Sequence, residues 1–301
     1  MTWLATAASV LLIVALLAVA GQHFRYQRTR RDIVADRQTL FHSPSVFHVA
    51  TVVALAPGQE LLSGIREFVH SIEAAGGAVV YAGKIAVNAM QSNQIPQEEW
   101  DAFVLAQFPS REAYDDAAAN PDYQSTRSGF AHSYALGLKR SPALNLALPI
   151  VLLAKRTVDV ITRAPSGYPF RRADASQAPP EMRARRDALV RGLEANREYG
   201  SSACVVLNFI RHGSPEQRAA NSGYGSAMLS LMAEMGNGPT HIGRAVTLEG
   251  DAHFDEVAIV YYPGVDYFAD MVQSEFFTGI VGGKQLGDTL SSPTVPLLPH
   301  L

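Results

Sequence analysis

The chain of 301 residues contains a single cysteine, Cys204, which excludes an intrachain disulfide and a metal site built from several thiolates. Its position within an apolar run favours a small buried residue over a nucleophile. Basic residues are not in excess, because 25 Lys and Arg stand against 28 Asp and Glu, a formal net charge of −3. Nucleic-acid-binding proteins usually carry a basic surplus, so we expect no nucleic-acid partner.

Several short catalytic and cofactor-binding motifs are also missing. No pair of the nine histidines has the HExxH spacing of a zinc-binding helix, and there is neither a dinucleotide-binding glycine fingerprint nor a nucleophile elbow. The run Gly282–Asp288 lacks the residue order of a phosphate-binding loop and follows a predicted helix, so we interpret its glycines as the end of that helix. These patterns predict no metal and no cofactor.

Charge is absent from one long stretch near the start of the chain, Trp3–Gly21. As a helix at ~1.5 Å per residue, this stretch spans about 28 Å, close to the ~30 Å hydrocarbon core of a bilayer. Two interpretations compete: an uncleaved membrane anchor, which we favour, and a signal peptide cut after Ala18-Val19-Ala20.

Positive charge lies on the C-terminal side of this stretch, at Arg25, Arg28, Arg30 and Arg31. By the positive-inside rule this asymmetry predicts a single-pass helix with its N-terminus outside and the body of the protein in the cytoplasm. A periplasmic or exported body is the alternative. We therefore expect residues 3–21 to hold the protein in the cell membrane.

One strand–turn–helix pattern occurs twice in the remainder of the chain. Trp100–Tyr123, WDAFVLAQFPSREAYDDAAANPDY, aligns with Phe254–Phe277, FDEVAIVYYPGVDYFADMVQSEFF. Each copy predicts an apolar strand, a turn at Pro109 or Pro263, and an amphipathic helix. Weaker matches continue in the same order on both sides, which indicates a tandem duplication.

The first copy predicts the order β-α-β-β-α, behind a charged helical stretch at Arg28–Leu40. Its elements are strand Val46–Ala56, a helix from Leu61 to Ile72, strand Ala78–Val87, strand Asp101–Phe108 and helix Ser110–Ala119. A ferredoxin-like unit needs one more strand, and the alternation of leucines places it at Ala143–Leu148. The alternative for this segment is a helix resting on the membrane surface, since it is too short to cross a bilayer.

The second copy repeats this order with strands at Ala203–Ile210, Thr240–Leu248 and Thr294–Leu298, in addition to the repeated strand. The predicted domains are an anchor at 1–27, a first ferredoxin-like unit at 28–162, a Pro-rich linker at 163–182 and a second unit at 183–301. Because the bare face of each sheet is apolar, it must be covered. The predicted fold is α+β, with two ferredoxin-like units closed on each other in a pseudo-twofold dimeric α/β-barrel.

Residues within Val46–Gln124 carry a family resemblance. The segments GGAVVYAGKIAV and FVLAQFPSREAYDDAAANPDYQ resemble a bacterial family of small, uncharacterised domains of the dimeric α/β-barrel superfamily. The features shared are Gly76-Gly77, Phe108-Pro109-Ser110, Glu112-Ala113 and Pro121–Gln124. The second copy has Gly264 in place of Ser110 and lacks the Pro-x-Tyr-Gln close.

This resemblance implies a ferredoxin-like fold with side-by-side pairing of units, here fused in one chain. The superfamily includes cofactor-free monooxygenases, small-ring isomerases, haem-handling enzymes and non-catalytic members. The family itself implies no particular activity.

Six residues are candidates for a site. The catalytic candidates are His241, Tyr81 and His212, and the ligand-binding candidates are Asn208, Arg244 and Lys84. His241 and Tyr81 occupy equivalent positions in the two units, so we expect them to line equivalent pockets between sheet and helices. His212 is a histidine near a strand end and can act as a base near neutral pH. The competing interpretation is structural: a hydrogen-bonded barrel residue at His241 and Tyr81, a surface residue at His212.

These observations favour a membrane-anchored, non-catalytic ligand-binding or accessory protein beside a membrane-protein partner. The alternative is a cofactor-free enzyme, of isomerase or monooxygenase type, that acts on a small apolar molecule and uses His241 or Tyr81. Haem binding through His212 or His241 is a third hypothesis. The sequence leaves the question of catalysis open and leans towards a non-enzyme.

Overall fold

Eight antiparallel strands close into a barrel in the computed structural model, which describes residues 2–39, 42–174 and 179–301. The strands are β1 Phe47–Ala54, β2 Ala78–Ile85, β3 Ala102–Phe108, β4 His132–Lys139, β5 Cys204–Ile210, β6 Pro239–Thr247, β7 Glu256–Tyr262 and β8 Leu290–Pro296. Their order around the barrel is β1-β3-β2-β8-β5-β7-β6-β4. We call β1 to β4 the first half and β5 to β8 the second half; the seams β2–β8 and β4–β6 join them. The predicted closed α/β barrel is confirmed.

Helices cover the outside of this barrel. They are α1 Thr2–Arg28, α2 Leu61–Ala74, α3 Arg111–Ala119, α4 Pro121–Ser128, α5 Pro142–Thr162, α6 Pro180–Ala195, α7 Pro215–Met235, α8 Val265–Val272 and α9 Glu275–Ile280. A π-helical turn, Thr29–Ile33, continues α1. The segment Ala5–Ile33 is long and apolar enough to cross a membrane, and none of its most apolar window is buried within the protein.

Side-chain alternation along the strands separates two layers of apolar residues. Ala50 and Val52 of β1, with Val205 and Leu207 of β5, belong to the cluster that fills the barrel interior. Their neighbours on β1 face α2 and α4, and their neighbours on β5, including Cys204, face α7 and α8. The buried position predicted for Cys204 is confirmed.

The chain that follows α1 fills one end of the barrel. Val34 packs into the interior cluster, and the Arg37 N–H donates to the Val80 carbonyl at 2.8 Å. Trp100 and Phe254, which are aligned in the repeat, belong to the same cluster and precede β3 and β7 at the other end. Both ends of the interior are thus closed by side chains.

The prediction of a strand at Ala143–Leu148 is wrong. The fourth strand of the first half is β4, and Pro142 begins the helix α5 instead. Leu148 and Leu152 are buried one turn apart, so burial follows the helical period and not the alternation of the leucines. The matching strand of the second half, β8, begins four residues before the predicted Thr294–Leu298.

The predicted helix at Arg28–Leu40 is also corrected. Helical structure ends at Ile33, Ala35 has a φ of 56°, and the chain to Thr39 is irregular. A residue in the left-handed region cannot continue a right-handed helix. Leu40 lies outside the described residues, as do residues 175–178 of the predicted linker, whose last three residues already belong to α6.

The seam between β4 and β6 requires a glycine at position 243. A Cβ there would stand 2.5 Å from the Lys139 carbonyl oxygen and 2.7 Å from Leu138 Cδ1. We expect Gly243→Ala to lower the free energy of unfolding by about 1–3 kcal/mol, because the backbone of β4 must move away. Urea denaturation of the detergent-solubilised protein measures the change. Gly279→Ala, on α9 with no atom within 4 Å of the added Cβ, is the matched control; an equal loss in both variants contradicts the close approach.

Candidate functional site

A cavity of about 810 Å³ lies in the second half, between the outer face of the sheet and helices α6, α7 and α8. From the sheet, the cavity is lined by Val206, Asn208, Ile242, Ala258, Val260 and Tyr262; from the helices, by Met182, Leu189, Tyr224, Gly225, Met228, Met232, Phe268 and Met271. A mainly apolar lining with a few polar groups, and a volume of this size, are typical of small-molecule sites.

The composition of α7 leaves this space open. Its N-terminal half, Pro215–Ala227, reads PEQRAANSGYGSA and has few large side chains. Gly225 lines the cavity, and a Cβ at this position would meet no atom within 4 Å. In the first half, aromatic side chains pack the corresponding side of the sheet against α2 to α4: Phe68, Phe108, Tyr114, Tyr123 and Phe130.

Asn208 is the one sequence-predicted candidate that lines the cavity. Its Nδ2 donates to the carbonyls of Val206 at 3.3 Å and Ala258 at 3.1 Å, and its Oδ1 accepts from Ser291 Oγ at 2.7 Å. The side chain therefore links β5 to β7 and β8, and these hydrogen bonds supply the partners that a buried amide requires. Its role in ligand binding stays a prediction.

Several other polar residues of the cavity keep unused hydrogen-bonding groups, and Lys284 and Tyr224 are two of them. Lys284 Nζ and the Tyr224 hydroxyl have neither a hydrogen bond nor an ion pair with any residue that the structure describes. Burial lowers the pKa of Lys284 and raises the pKa of Tyr224 to about 12, because the charged form of each loses hydration. The sequence analysis did not identify Lys284 or Tyr224 as site residues. Lys284 follows glycines that were interpreted as the end of a helix, and Tyr224 lies on a helix without a clear apolar face.

A second polar feature is buried where the chain after α1 enters the barrel. We define the buried ion cluster as Arg30, Asp36, Arg140 and His241, all of which are buried. His241 Nε2 lies 2.5 Å from Asp36 Oδ2, and Arg140 Nη1 donates to His241 Nδ1 at 2.5 Å. Arg30 Nε lies 4.0 Å from Asp36 Oδ2. The cluster therefore joins the segment after α1 to both halves, through Arg140 after β4 and His241 on β6.

These contacts determine the protonation of His241. Because Arg140 donates to Nδ1, that nitrogen carries no proton, and the ring is neutral with its proton on Nε2, donated to Asp36. Burial, which outweighs the nearby Asp36 carboxylate, lowers the pKa of His241 to about 4. Burial favours the protonated form of Asp36, but His241, Arg30 and the Gln38 N–H together hold the Asp36 pKa below its usual value. At neutral pH the cluster thus holds two guanidinium groups and one carboxylate.

The expected position of His241 and Tyr81 between sheet and helices is wrong. Both face the barrel interior, each next to a register shift, at Val79/Tyr81 in β2 and at Pro239/His241 in β6. Tyr81 and His241 nevertheless hold equivalent positions in the two halves. The Tyr81 hydroxyl pairs with Thr294 Oγ1 at 2.9 Å, so it ties β2 to β8 across the seam.

The remaining candidates lie apart from each other. His212 is exposed beyond the end of β5, and its backbone N–H donates to Asp255 Oδ2 at 2.7 Å. Lys84 Nζ lies 3.4 Å from Asp101 Oδ1, and Arg244 is exposed on β6. The structure brings none of these three into the cavity or to the buried ion cluster. Their catalytic or binding roles stay predictions.

A haem does not fit these histidines. Both ring nitrogens of His241 are engaged by Asp36 and Arg140, so neither is free to bind iron, and His212 lies on an exposed loop. In the part of the chain that the structure describes, no three His, Cys, Asp or Glu side chains are grouped to hold a metal ion.

The neutral state of His241 makes stability depend on pH. A folded-state pKa of about 4 lies below the unfolded value of 6.5, so the unfolded chain binds the extra proton between these values and stability falls as pH falls through this window. We expect His241→Gln to flatten the decline in the free energy of unfolding by up to about 1.4 kcal/mol per pH unit. Urea denaturation between these pH values measures it, with His212→Gln as the exposed control. Parallel curves for wild type and His241→Gln would refute the assignment.

Comparison with known proteins gives only distant similarities. No family model matches the chain, and no curated protein sequence matches it. A chlorite dismutase variant from Candidatus Nitrospira defluvii is 12% identical with a TM-score of 0.41, and covers 89% of this chain and 96% of its own. An anthrone oxidase-like protein is 13% identical with a TM-score of 0.40, and covers 84% of this chain and 91% of its own. At these identities and TM-scores the likeness carries no conclusion about the reaction, ligand or cofactor of this chain.

Proposed function

We propose that the protein takes up a small apolar molecule in the cavity of its second half. The single observation that carries this proposal is the cavity itself: an apolar space of about 810 Å³ where the other half is packed with aromatic side chains. A mainly apolar pocket of this size is the usual place for a small ligand. The difference between the halves also fits a fused pair of ferredoxin-like units in which one has diverged to bind a ligand.

Uptake of a small apolar molecule is expected both of a ligand-binding protein and of a cofactor-free enzyme that acts on such a molecule. One observation favours the enzyme: Lys284 lines the cavity with an unpaired amine whose pKa is lowered by burial. A lysine with a lowered pKa has a larger neutral fraction and can serve as a base. A cofactor-free isomerase or monooxygenase is therefore the second candidate function. The membrane-protein partner remains a prediction from the sequence.

We further propose that the protein is held at the cell membrane by α1 and that α5 lies on the same bilayer. The apolar residues of α1 from Ala5 to Ala18 are exposed, whereas Tyr26 contacts the body of the protein through a hydrogen bond to the Pro239 carbonyl. α5 packs against α1 and exposes one apolar face: Leu146, Ile150, Val158 and Ile161. An amphipathic helix with such a face lies in the interface plane of a bilayer. The arginines that follow the apolar stretch favour a cytoplasmic body.

The cavity is tested by filling it from Gly225. We expect Gly225→Leu to weaken uptake of an apolar molecule roughly tenfold, because the leucine side chain would enter the open space beside α7. The measurement uses full-length protein in nanodiscs and a photoreactive, diazirine-bearing dodecanol. Mass spectrometry locates labelled peptides, and unlabelled dodecanol provides the competition curve.

Gly223→Leu is the matched control for this test. Gly223 lies on the same helix, is exposed, and also has no atom within 4 Å of an added Cβ, but it does not line the cavity. We expect its labelling to equal that of the wild type. Equal labelling of α7 and β7 in all three proteins would contradict uptake in the cavity.

The position of α5 is tested with a single added tryptophan. In a Trp3→Phe background, Ile161→Trp places an indole on the exposed face of α5, and brominated lipids in reconstituted vesicles should quench its fluorescence because bromine quenches on contact. The control is Ala119→Trp, on the exposed side of α3. Trp100 is buried and adds the same background to both. Equal quenching in the two variants would refute contact between α5 and the bilayer.

A further inference from the structure

The polar groups of the cavity offer more hydrogen-bond donors than acceptors. Asn208 has its amide engaged by the strands around it, whereas Lys284 Nζ and the Tyr224 hydroxyl are unpaired among the described residues. The charged residues of the lining are also mainly cationic: Lys284, Arg185 and Arg186 stand against Glu181. A ligand that accepts hydrogen bonds and carries negative charge complements this lining.

Lys284 and Tyr224 belong to the same region of the cavity wall. Gly283 lies against α7, where an added Cβ would stand 3.2 Å from the Ala220 carbonyl oxygen and 3.6 Å from Tyr224 Cβ. This contact holds the next residue, Lys284, beside the turn of α7 that carries Tyr224. Arg186, by contrast, is already engaged, since its Nη2 donates to Thr278 Oγ1 at 3.0 Å.

An ammonium group on a half-buried side chain beside an apolar space loses part of its hydration and gains no compensating charge. A single carboxylate would supply one negative charge and acceptor oxygens for both donors, and charge-assisted hydrogen bonds of this kind are the stronger ones.

We propose that the apolar molecule taken up by the cavity ends in a carboxylate, which accepts hydrogen bonds from Lys284 Nζ and the Tyr224 hydroxyl. This inference rests on the proposed function and specifies its ligand class: an apolar carboxylic acid, such as a fatty acid, with its chain among the methionines of α7 and the sheet. Lys284 is then a ligand-binding residue that selects acids over alcohols of the same length.

The test compares two photoreactive ligands of equal length, diazirine-bearing dodecanoate and dodecanol, on full-length protein in nanodiscs. We expect Lys284→Met to weaken dodecanoate competition about tenfold or more and to leave dodecanol within about twofold, because only the acid loses a charge-assisted partner. Tyr224→Phe should weaken dodecanoate by about threefold, and Lys284→Arg should restore part of the preference for the acid. Lys139→Met, at an exposed site on β4, is the control for loss of a positive charge.

The outcomes separate this inference from the proposed function. Selective loss of dodecanoate binding in Lys284→Met supports the carboxylate site. Equal effects of Lys284→Met on both ligands, or none on either, overturn it while uptake of apolar molecules stands. Absence of specific labelling of the cavity by both ligands in the wild-type protein overturns the proposed function and this inference together.

Discussion

The buried ion cluster at the mouth of the barrel is the interaction on which the arrangement of the whole chain depends. Asp36 is contacted by His241 of the second half and approached by Arg30 of its own segment, while Arg140 of the first half donates to His241. Buried ion pairs recover their desolvation cost only with good geometry, so their net stabilisation is small. Loss of one member, however, leaves another charge buried without a partner. The cluster therefore specifies how α1 is attached to the barrel, while apolar packing supplies most of the stability.

The two halves share the same strand order but differ in how the space between sheet and helices is filled. In the first half, α2 is short and presents Phe68 to a layer of aromatic side chains, so the space over the sheet is filled. In the second half, α7 is longer, and glycine, alanine and serine occupy much of its N-terminal half. Helix α7 rests on neighbours at both ends, since it packs against α5 and contacts the turn after α9. The cavity is thus a consequence of small side chains on a helix that other elements hold in place.

The alternating patterns of the sequence were sufficient to predict most of the barrel. Strands β3 and β7 lie where the aligned repeat places them, because each is a short apolar run bounded by a turn proline. The last strand of each half was harder to predict. Leu144, Leu146 and Leu148 alternate as in a strand, yet α1 and α7 provide neighbours on one side of a helix at this position. Tertiary contacts of this kind override the local pattern, and a single sequence does not display them.

The candidate site could be predicted only in part for the same reason. Asn208 stood out because an amide within an apolar strand requires partners, and the structure supplies them. The partners of His241, by contrast, come from segments about 100 and 205 residues away, at Arg140 and Asp36. The cavity could not be predicted from the sequence, because its lining comes from the sheet and from α6, α7 and α8, which only the fold brings together. Lys284 becomes a candidate ligand-binding residue only once the structure shows that it lines the cavity.

The proposed location on the bilayer is consistent with the proposed binding of an apolar ligand. An apolar acid partitions into the membrane, so a binding site close to the bilayer meets a higher local concentration of ligand than one in bulk solvent. Helix α7 lies between the two, since α5 packs on it and the cavity is lined by its Met228 and Met232. Methionine side chains are unbranched and adapt to ligands of different shape. We infer that the wall of the cavity nearest α5 is also the wall that adjusts most readily, whereas the sheet on the other side is fixed by the closed barrel.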